Sequence, residues 1–183
     1  AALLPAKDTL QGRAHVSRSD AERSIAALMA FFTKGAFAED PWANREILAI
    51  PDLRERRDKG LPSPLGIQLD PGFDVETIAG DLDKIGLIKI AFPKFTDGRG
   101  YSMAWLLRTR LDYRGEMRAI GDVLFDEMQF MVRCGFDSFE IVDPETLRLL
   151  KDGRRAAAFD RFYQPGLEQE VPAGTRPWAR RLA

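Results

Sequence analysis

The sequence predicts one α/β domain, with a small and mostly parallel sheet of about four to five strands flanked by helices. Short apolar runs alternate along the chain with amphipathic stretches of about ten residues, which is typical of strand–helix–strand units with right-handed crossovers. The length of 183 residues fits one domain with tails. We therefore predict an N-terminal extension over residues 1–28, the domain over residues 29–164 and a C-terminal tail over residues 165–183.

The first predicted element of the domain is a β-hairpin over residues 30–39, which turns at Lys34-Gly35. A helix that begins at Ala21 and runs through Phe32 competes with it. Ser19-Asp20 would cap that helix, and apolar side chains follow at helical spacing. The hairpin is the favoured interpretation.

Five further strands and five helices are predicted from apolar runs and from apolar side chains three or four residues apart. The predicted strands cover residues 47–50, 66–69, 87–92, 116–120 and 138–142. The predicted helices cover residues 52–59, 75–85, 102–111, 123–134 and 144–152. A partial barrel of the TIM type is the alternative fold, although too few strands are visible for a complete one.

Composition excludes several kinds of chemistry. Cys134 is the only cysteine and His15 the only histidine, so Cys/His zinc sites, cysteine-held iron–sulfur clusters and Ser–His triads lack their residues. A net charge of −1 argues against a nucleic-acid partner. No apolar run approaches the roughly 20 residues that span a bilayer, so we expect no membrane partner and a cytoplasmic protein.

Residues 93–100, which follow the strand at 87–92, form the most informative loop. In open parallel sheets ligands bind outside the carboxyl ends of the strands. Lys94 and Arg99 supply positive charge there, and the N-terminus of the following helix adds a partial positive charge. The loop therefore suits an oxyanion such as phosphate, sulfate or sulfite. It matches neither the dinucleotide fingerprint nor the P-loop.

A purely structural interpretation of the same residues stays open. Asp97 or Thr96 could serve only as a helix N-cap, and Lys94 and Arg99 only as solvated charges. Asp122 is likewise expected either to cap the predicted helix at 123–134 or to act as a base or as a partner of an arginine.

Six motifs of the sequence are long enough to compare with known families. They are FPKFTDGRGYS at 92–102, LLR at 106–108, YRGEMRAIGDVL at 113–124, RCGFDSFEI at 133–141, GAFAEDPW at 35–42 and VETIAGDL at 75–82. Together they resemble a bacterial family, domain of unknown function 934. The resemblance covers roughly residues 30–164, and the central motif is long and specific. This chain differs from the family in carrying Glu127 where Gln is common, and residues 1–28 are longer than usual.

The resemblance implies a role in sulfite reduction within sulfur assimilation, because members of the family accompany sulfite reductase and are described as oxidoreductases. It also supplies the candidate site residues. The expected catalytic residues are Lys94, Asp97 and Asp122. The expected substrate-binding residues are Arg99, Tyr101, Arg118 and Arg133.

Three functional hypotheses follow. The first is an oxidoreductase-like or accessory protein of sulfite reduction that binds an oxyanion at the Lys94/Arg99 loop. The second is a non-catalytic partner that docks on sulfite reductase or its electron donor. The third is a small lyase or isomerase with Lys94 as base and Asp97 or Asp122 as acid. The sequence assigns no cofactor and no metal, and it leaves open whether the protein is an enzyme and whether it forms a homodimer.

Overall fold

Alternating apolar residues produce the strands of one open sheet in the computed structural model, which describes residues 30–61 and 63–154. Within these described residues, seven strands lie in the order β2-β1-β7-β6-β5-β4-β3. The expectation of about four to five strands is therefore too low. The strands are β1 (Ala30–Thr33), β2 (Ala36–Phe37), β3 (Ile47–Ala49), β4 (Leu65–Leu69), β5 (Ile85–Phe92), β6 (Glu116–Gly121) and β7 (Ser138–Ile141).

The predicted hairpin accounts for the additional strands. β1 and β2 pair in antiparallel fashion, and β1 continues the sheet by pairing antiparallel to β7. Lys34 and Gly35 have φ angles of 49° and 80°, as a tight hairpin turn requires. The competing helix through Phe32 is wrong for residues 30–32, and the rest of it lies outside the described residues.

The helices follow the predicted order but differ in extent. The predicted helix at 75–85 is a 3₁₀ segment, Val75–Asp81, and Ile85 already begins β5. Gly80 lowers the helix propensity of this short stretch. The helical elements are α1 (Ile50–Arg56), a 3₁₀ turn (Arg57–Lys59), the 3₁₀ segment just named, α2 (Arg99–Thr109), α3 (Met128–Arg133) and α4 (Pro144–Lys151).

The strands β3 to β7 are parallel neighbours in chain order. Right-handed crossovers that all step in one direction place their helices on a single face of the sheet. A TIM barrel has the same sequential order, but here β2 and β3 lie at opposite ends of the sheet, so the sheet is open. Within residues 30–61 and 63–154, no helix is long and apolar enough to cross a bilayer.

Successive strand residues point to opposite faces, and the two faces differ in chemistry. We call them the helix face, which packs against α2 and α3, and the open face. Ile88, Ile90 and Phe92 of β5 belong to the same buried core as residues of α2 and α3. Lys89, between them, points to the open face. Neighbours in register continue this pattern, because Lys89 lies beside Arg118 of β6.

The predicted extension at 1–28 and the tail at 165–183 lie outside the described residues. The domain boundaries at residues 29 and 164 therefore stay predictions.

Candidate functional site

The loops that follow β4, β5 and β6 meet at the carboxyl edge of the sheet, where parallel sheets bind their ligands. A cavity of about 480 Å³ opens there, lined by Pro93, Lys94, Thr96, Asp97 and Arg99. The predicted loop therefore does form a concave surface. Of the seven residues expected at the site, three (Lys94, Asp97 and Arg99) line this cavity.

Asp97 and Arg99 form a salt bridge at the N-terminus of α2. Arg99 Nε and Nη2 donate to Asp97 Oδ1 and Oδ2 at 2.8 and 2.6 Å, and the Arg99 backbone N–H donates to Oδ1 at 3.2 Å. The hydrogen bonds from Arg99 lower the pKa of Asp97 to about 2, and the same pair raises the pKa of Arg99. Asp97 is therefore ionised at neutral pH, which makes it a poor proton donor in this arrangement.

Lys94 and the N-terminus of α2 are the groups in the cavity best suited to an anion. Lys94 is exposed, and its carbonyl accepts a hydrogen bond from Asp97 N–H at 3.0 Å. Gly98 occupies the N-cap of α2 and has no side chain to cap the helix. The 11 residues of α2 direct the positive end of their dipole toward the same loop.

Asp122 connects the end of β6 to this loop. Its Oδ2 accepts from Phe95 N–H at 2.9 Å, and its own N–H donates to Phe92 O at 2.7 Å. Gly121 permits this approach, because its φ is +93° and a Cβ there would lie 2.4 Å from Phe92 O. Asp122 is not the N-cap of a helix at 123–134, because α3 begins only at Met128.

The loop after β4 reaches the site as well. Gly72 lies against Arg99, so that a Cβ at Gly72 would stand 3.0 Å from Arg99 Nη1. Arg99 thereby contacts one loop through Nη1 and holds Asp97 with Nε and Nη2. Among the described residues, Asp122 forms no hydrogen bond or ion pair with either Arg99 or Arg118.

Tyr101 lies beneath the carboxyl edge as part of the aromatic packing. Its ring centroid is 5.2 Å from that of Phe92 and 4.9 Å from that of Phe130. Its hydroxyl lies close enough to the Glu127 carboxyl for the two groups to affect each other's pKa. Burial and the charge of Glu127 raise the pKa of Tyr101 well above its usual range. Tyr101 is therefore a neutral phenol at physiological pH.

Glu127 is the residue of this region that sequence reasoning missed. Burial and the neighbouring Asp126 raise the pKa of the Glu127 carboxyl. Its Oε2 is buried and has no hydrogen-bond partner among the described residues. The one signal for it was the Gln that is common at this position in the resembling family, since an amide avoids the cost of a buried charge.

Arg118 does not lie at the carboxyl edge. It is 0% exposed in the middle of β6 and points to the open face. All five of its N–H groups donate to three carboxylates, at 2.7 and 2.7 Å for Asp40, 2.9 and 3.1 Å for Glu116 and 2.9 Å for Glu140. Its guanidinium carbon also lies 4.5 Å from the centroid of the Phe31 ring. Arg118 therefore has no donor left for a substrate oxygen.

Arg133 lies at the other end of α3 from Glu127, next to Cys134. Burial raises the pKa of the Cys134 thiol, and the positive charge of Arg133 opposes that shift. The raised pKa leaves Cys134 mostly protonated at neutral pH, which fits a packing role better than a nucleophile. Within the described part of the chain, no group of three or more His, Cys, Asp or Glu residues could hold a metal ion.

A comparison with protein families assigns the chain. The family model described as a bacterial protein of unknown function (DUF934) matches residues 66–174 of this 183-residue chain. The chain belongs to the DUF934 family. The match runs from β4 past α4 and includes the whole carboxyl edge of β4 to β7. No curated protein and no solved structure matches the chain.

The matched range covers all seven residues expected at the site, and it leaves out β1, β2 and β3. Asp40, which binds Arg118, therefore lies outside the range that the DUF934 model matches. The description of the family names no reaction.

Proposed function

We propose that this DUF934 protein binds a small oxyanion of sulfur at the carboxyl edge of its sheet and acts as an accessory to sulfite reduction. One observation carries the proposal. The cavity of about 480 Å³ joins the exposed Lys94 to the N-terminus of the 11-residue helix α2. A mobile ammonium group and a helix N-terminus together favour a tetrahedral or pyramidal oxyanion.

Family membership narrows the choice of oxyanion. The resemblance noted in the sequence implies that members of the family accompany sulfite reductase, and this association supports sulfite or sulfate over phosphate as the ligand. That support is by association, and it concerns the pathway more than the chemistry.

The state of the carboxylates favours an accessory over a lyase or isomerase. Both residues that the third hypothesis offers as the acid already bind other groups of the protein. Arg99 holds Asp97 ionised, and the Phe95 N–H holds Asp122. A proton donor at this edge would require one of these contacts to open first.

Arg99 is expected to contribute less than Lys94 to the affinity of the proposed site, because it already binds Asp97. An incoming oxyanion must either use the donors that Arg99 has free or compete with Asp97 for the guanidinium. The Asp97 carboxylate already accepts two hydrogen bonds from the Arg99 side chain, and this competition weakens the binding of the anion to Arg99. Lys94 is therefore expected to contribute most of the binding free energy.

Calorimetric titration with sulfite and sulfate tests the proposal. We expect both anions to bind the wild-type protein and Lys94→Ala to weaken binding about tenfold, the effect of losing one charge-assisted contact. Arg110→Ala is the matched control, because Arg110 is an exposed arginine just past the end of α2 that pairs with Glu76 at 3.1 Å. No binding by the wild-type protein, or equal losses in both variants, would contradict the proposed site.

Growth on sulfate tests the pathway. A deletion strain that carries the Lys94→Ala/Arg99→Ala double variant is expected to grow as poorly as the strain with no copy of the gene. Full growth with that variant, provided that it is folded and the deletion strain is defective, would make the loop purely structural.

Exposed aromatic residues favour a second candidate, a docking partner of sulfite reductase or of its electron donor. Phe95, Trp105 and Phe130 are 49%, 48% and 49% exposed. Large aromatic side chains are enriched at protein interfaces. Docking would be supported if the wild-type protein co-purifies with sulfite reductase and the double variant Trp105→Ser/Phe130→Ser does not. Wild-type protein that elutes alone under mild conditions would rule it out.

A further inference from the structure

A second cavity of about 410 Å³ lies on the open face of the sheet. Its floor includes Lys89 of β5 and Glu140 of β7, and its walls come from β1 and from the segment between β2 and β3, which carries Trp42 and Arg45. This cavity shares no lining residue with the one at the carboxyl edge. Its volume falls within the range of about 300–1,000 Å³ typical of small-molecule sites.

The two carboxylates of this cavity, Asp40 and Glu140, both bind Arg118 beneath them. Asp40 receives two hydrogen bonds from Arg118 at 2.7 Å, and a third from Trp42 N–H at 2.9 Å. Burial acts to raise the pKa of Asp40, but the hydrogen bonds from Arg118 and Trp42 outweigh it and lower the pKa. Glu140 Oε1 accepts from both Arg118 and Lys89. Both carboxylate oxygens of Asp40 and Oε1 of Glu140 are therefore engaged.

Positively charged donors remain. Lys89 is 15% exposed and has three N–H groups, of which the contact with Glu140 uses one. Arg45 stacks on Trp42, with its guanidinium carbon 4.9 Å from the ring centroid. Among the described residues, Arg45 has no carboxylate partner. The cavity thus offers hydrogen-bond donors from two cations and few free acceptors.

The remaining lining is apolar. Phe31 and Ile47 contribute large side chains, and alanines at positions 30, 38 and 43 leave space between them. Trp42 is buried against the backbone of β4 and β5, since a Cβ on Gly86 would lie 3.0 Å from its ring. An inorganic oxyanion would fill only a small part of this space and would leave the apolar wall uncovered.

We infer that this cavity binds a small carboxylic acid with an apolar body. The carboxylate lies between Lys89 and Arg45, and the body packs against Phe31 and Ile47. The site does not rest on the proposed function, because its residues lie on another part of the sheet. Burying a charged side chain costs more free energy than burying an apolar one, so a strand that only filled a core would carry apolar residues. Ligand binding gives the charged residues of the open face a function that explains this cost.

Benzoate and its neutral analogue benzamide test the inference in NMR titrations that follow the indole N–H of Trp42. We expect benzoate to shift this resonance saturably and benzamide to bind about tenfold more weakly or worse, because it lacks the charge. Arg45→Gln and Lys89→Gln are expected to weaken benzoate about tenfold. Arg54→Gln, which alters an exposed arginine of α1, is the matched control and should bind benzoate as wild type does.

The outcomes separate this site from the carboxyl edge. Arg45 lies on an exposed segment, so Arg45→Gln tests the site even if Lys89→Gln fails to fold. Benzoate that leaves Trp42 unshifted, or that binds Arg45→Gln as tightly as wild type, overturns the inference. Sulfate that shifts Trp42 as strongly as benzoate overturns the assignment of an organic acid.

Discussion

The two faces of the same sheet stabilise the protein by different means. On the helix face, Ile90 and Met117 are 0% exposed and pack among other apolar side chains. On the open face, the equally buried Arg118 contacts three carboxylates and one aromatic ring. Alternate residues of one strand therefore stabilise the two faces differently, by apolar packing on one face and by charge compensation on the other.

Burial alone does not define the core of this protein. An apolar side chain that is removed leaves a cavity whose lining can partly relax. A buried charge that is removed leaves its partners uncompensated in a medium that solvates them poorly. The open face should therefore tolerate substitution of Arg118 less well than the helix face tolerates loss of a few methyl groups.

Substitution of Arg118 by Met is expected to have the largest effect. The change leaves Asp40, Glu116 and Glu140 without their shared cation, and we expect a loss of about 3–5 kcal/mol in the free energy of unfolding. Urea denaturation followed by circular dichroism measures it. A loss below about 1 kcal/mol would show that water reaches these carboxylates and that the open face is not a true interior.

Ile90→Ala probes the helix face at a comparable depth. The lost apolar contacts and the cavity that remains predict a loss of about 2–4 kcal/mol, and the milder Ile90→Val about 0.5–1.5 kcal/mol. The same denaturation experiment applies. If Ile90→Ala costs more than Arg118→Met, the contrast between the two faces is reversed.

Glu127→Gln is expected to stabilise the protein at neutral pH by less than about 1 kcal/mol. Because the folded state raises the pKa of Glu127, folding favours the protonated carboxyl. The stability from this group is complete below the unfolded pKa of about 4.3, and it is lost as the pH rises through the folded pKa. Gln does not titrate, so the variant should gain only above that pH. Thermal melts at pH 3.5 and pH 7.5 check this, and an equal difference at both pH values would refute it.

Asp97→Asn is expected to have the smallest effect on stability, with a melting temperature close to that of wild type, because the carboxylate lies in a solvent-exposed pair. It should instead free Arg99 and tighten sulfate binding about threefold, since a competing carboxylate has been removed. Glu145→Gln is the matched control, because Glu145 also forms a bidentate pair with an arginine, Arg148, on an exposed surface. Weaker sulfate binding in Asp97→Asn would mean that Asp97 orients Arg99 for the ligand.

The contribution of the Asp97–Arg99 pair to the stability of the protein depends on pH. The folded protein lowers the pKa of Asp97 to about 2, so the contribution of the pair is present above the unfolded pKa and disappears as the pH falls toward 2. Sulfate binding should follow the same titration, becoming tighter as Asp97 is protonated in wild type but not in Asp97→Asn.

The elements that could be predicted were those with a local signal. Alternation in residues 87–92 and 116–120 predicted strands, and the Lys34-Gly35 turn predicted the hairpin. The helix predicted at 123–134 was too long, because the Gly121-Asp122 turn is held by the backbone of Phe92 and of Phe95, and α3 begins only at Met128. A contact with another loop cannot be read from periodicity.

In the carboxyl-edge loop, too, some features had a local sequence signal and others depended on the folded geometry. Its position after a strand and its anion-friendly residues could be recognised in the sequence, and the structure places Lys94, Asp97 and Arg99 around one cavity. The close pairing of Asp97 with Arg99 was not foreseen. Two residues of opposite charge separated by one glycine can point apart or together, and the geometry of the turn decides which.

The sequence alone predicted the order of strands and helices and the family, and its single histidine and single cysteine narrowed the chemistry to be expected. Each of these depends on residue types and on spacing between near neighbours. Only the tertiary structure decided that Arg118 belongs to the open face and binds Asp40, a residue 78 positions away in the chain. Strand register and the return of a distant segment set that contact. Long-range pairing therefore determined which charges are consumed by the fold and which ones stay available to a ligand.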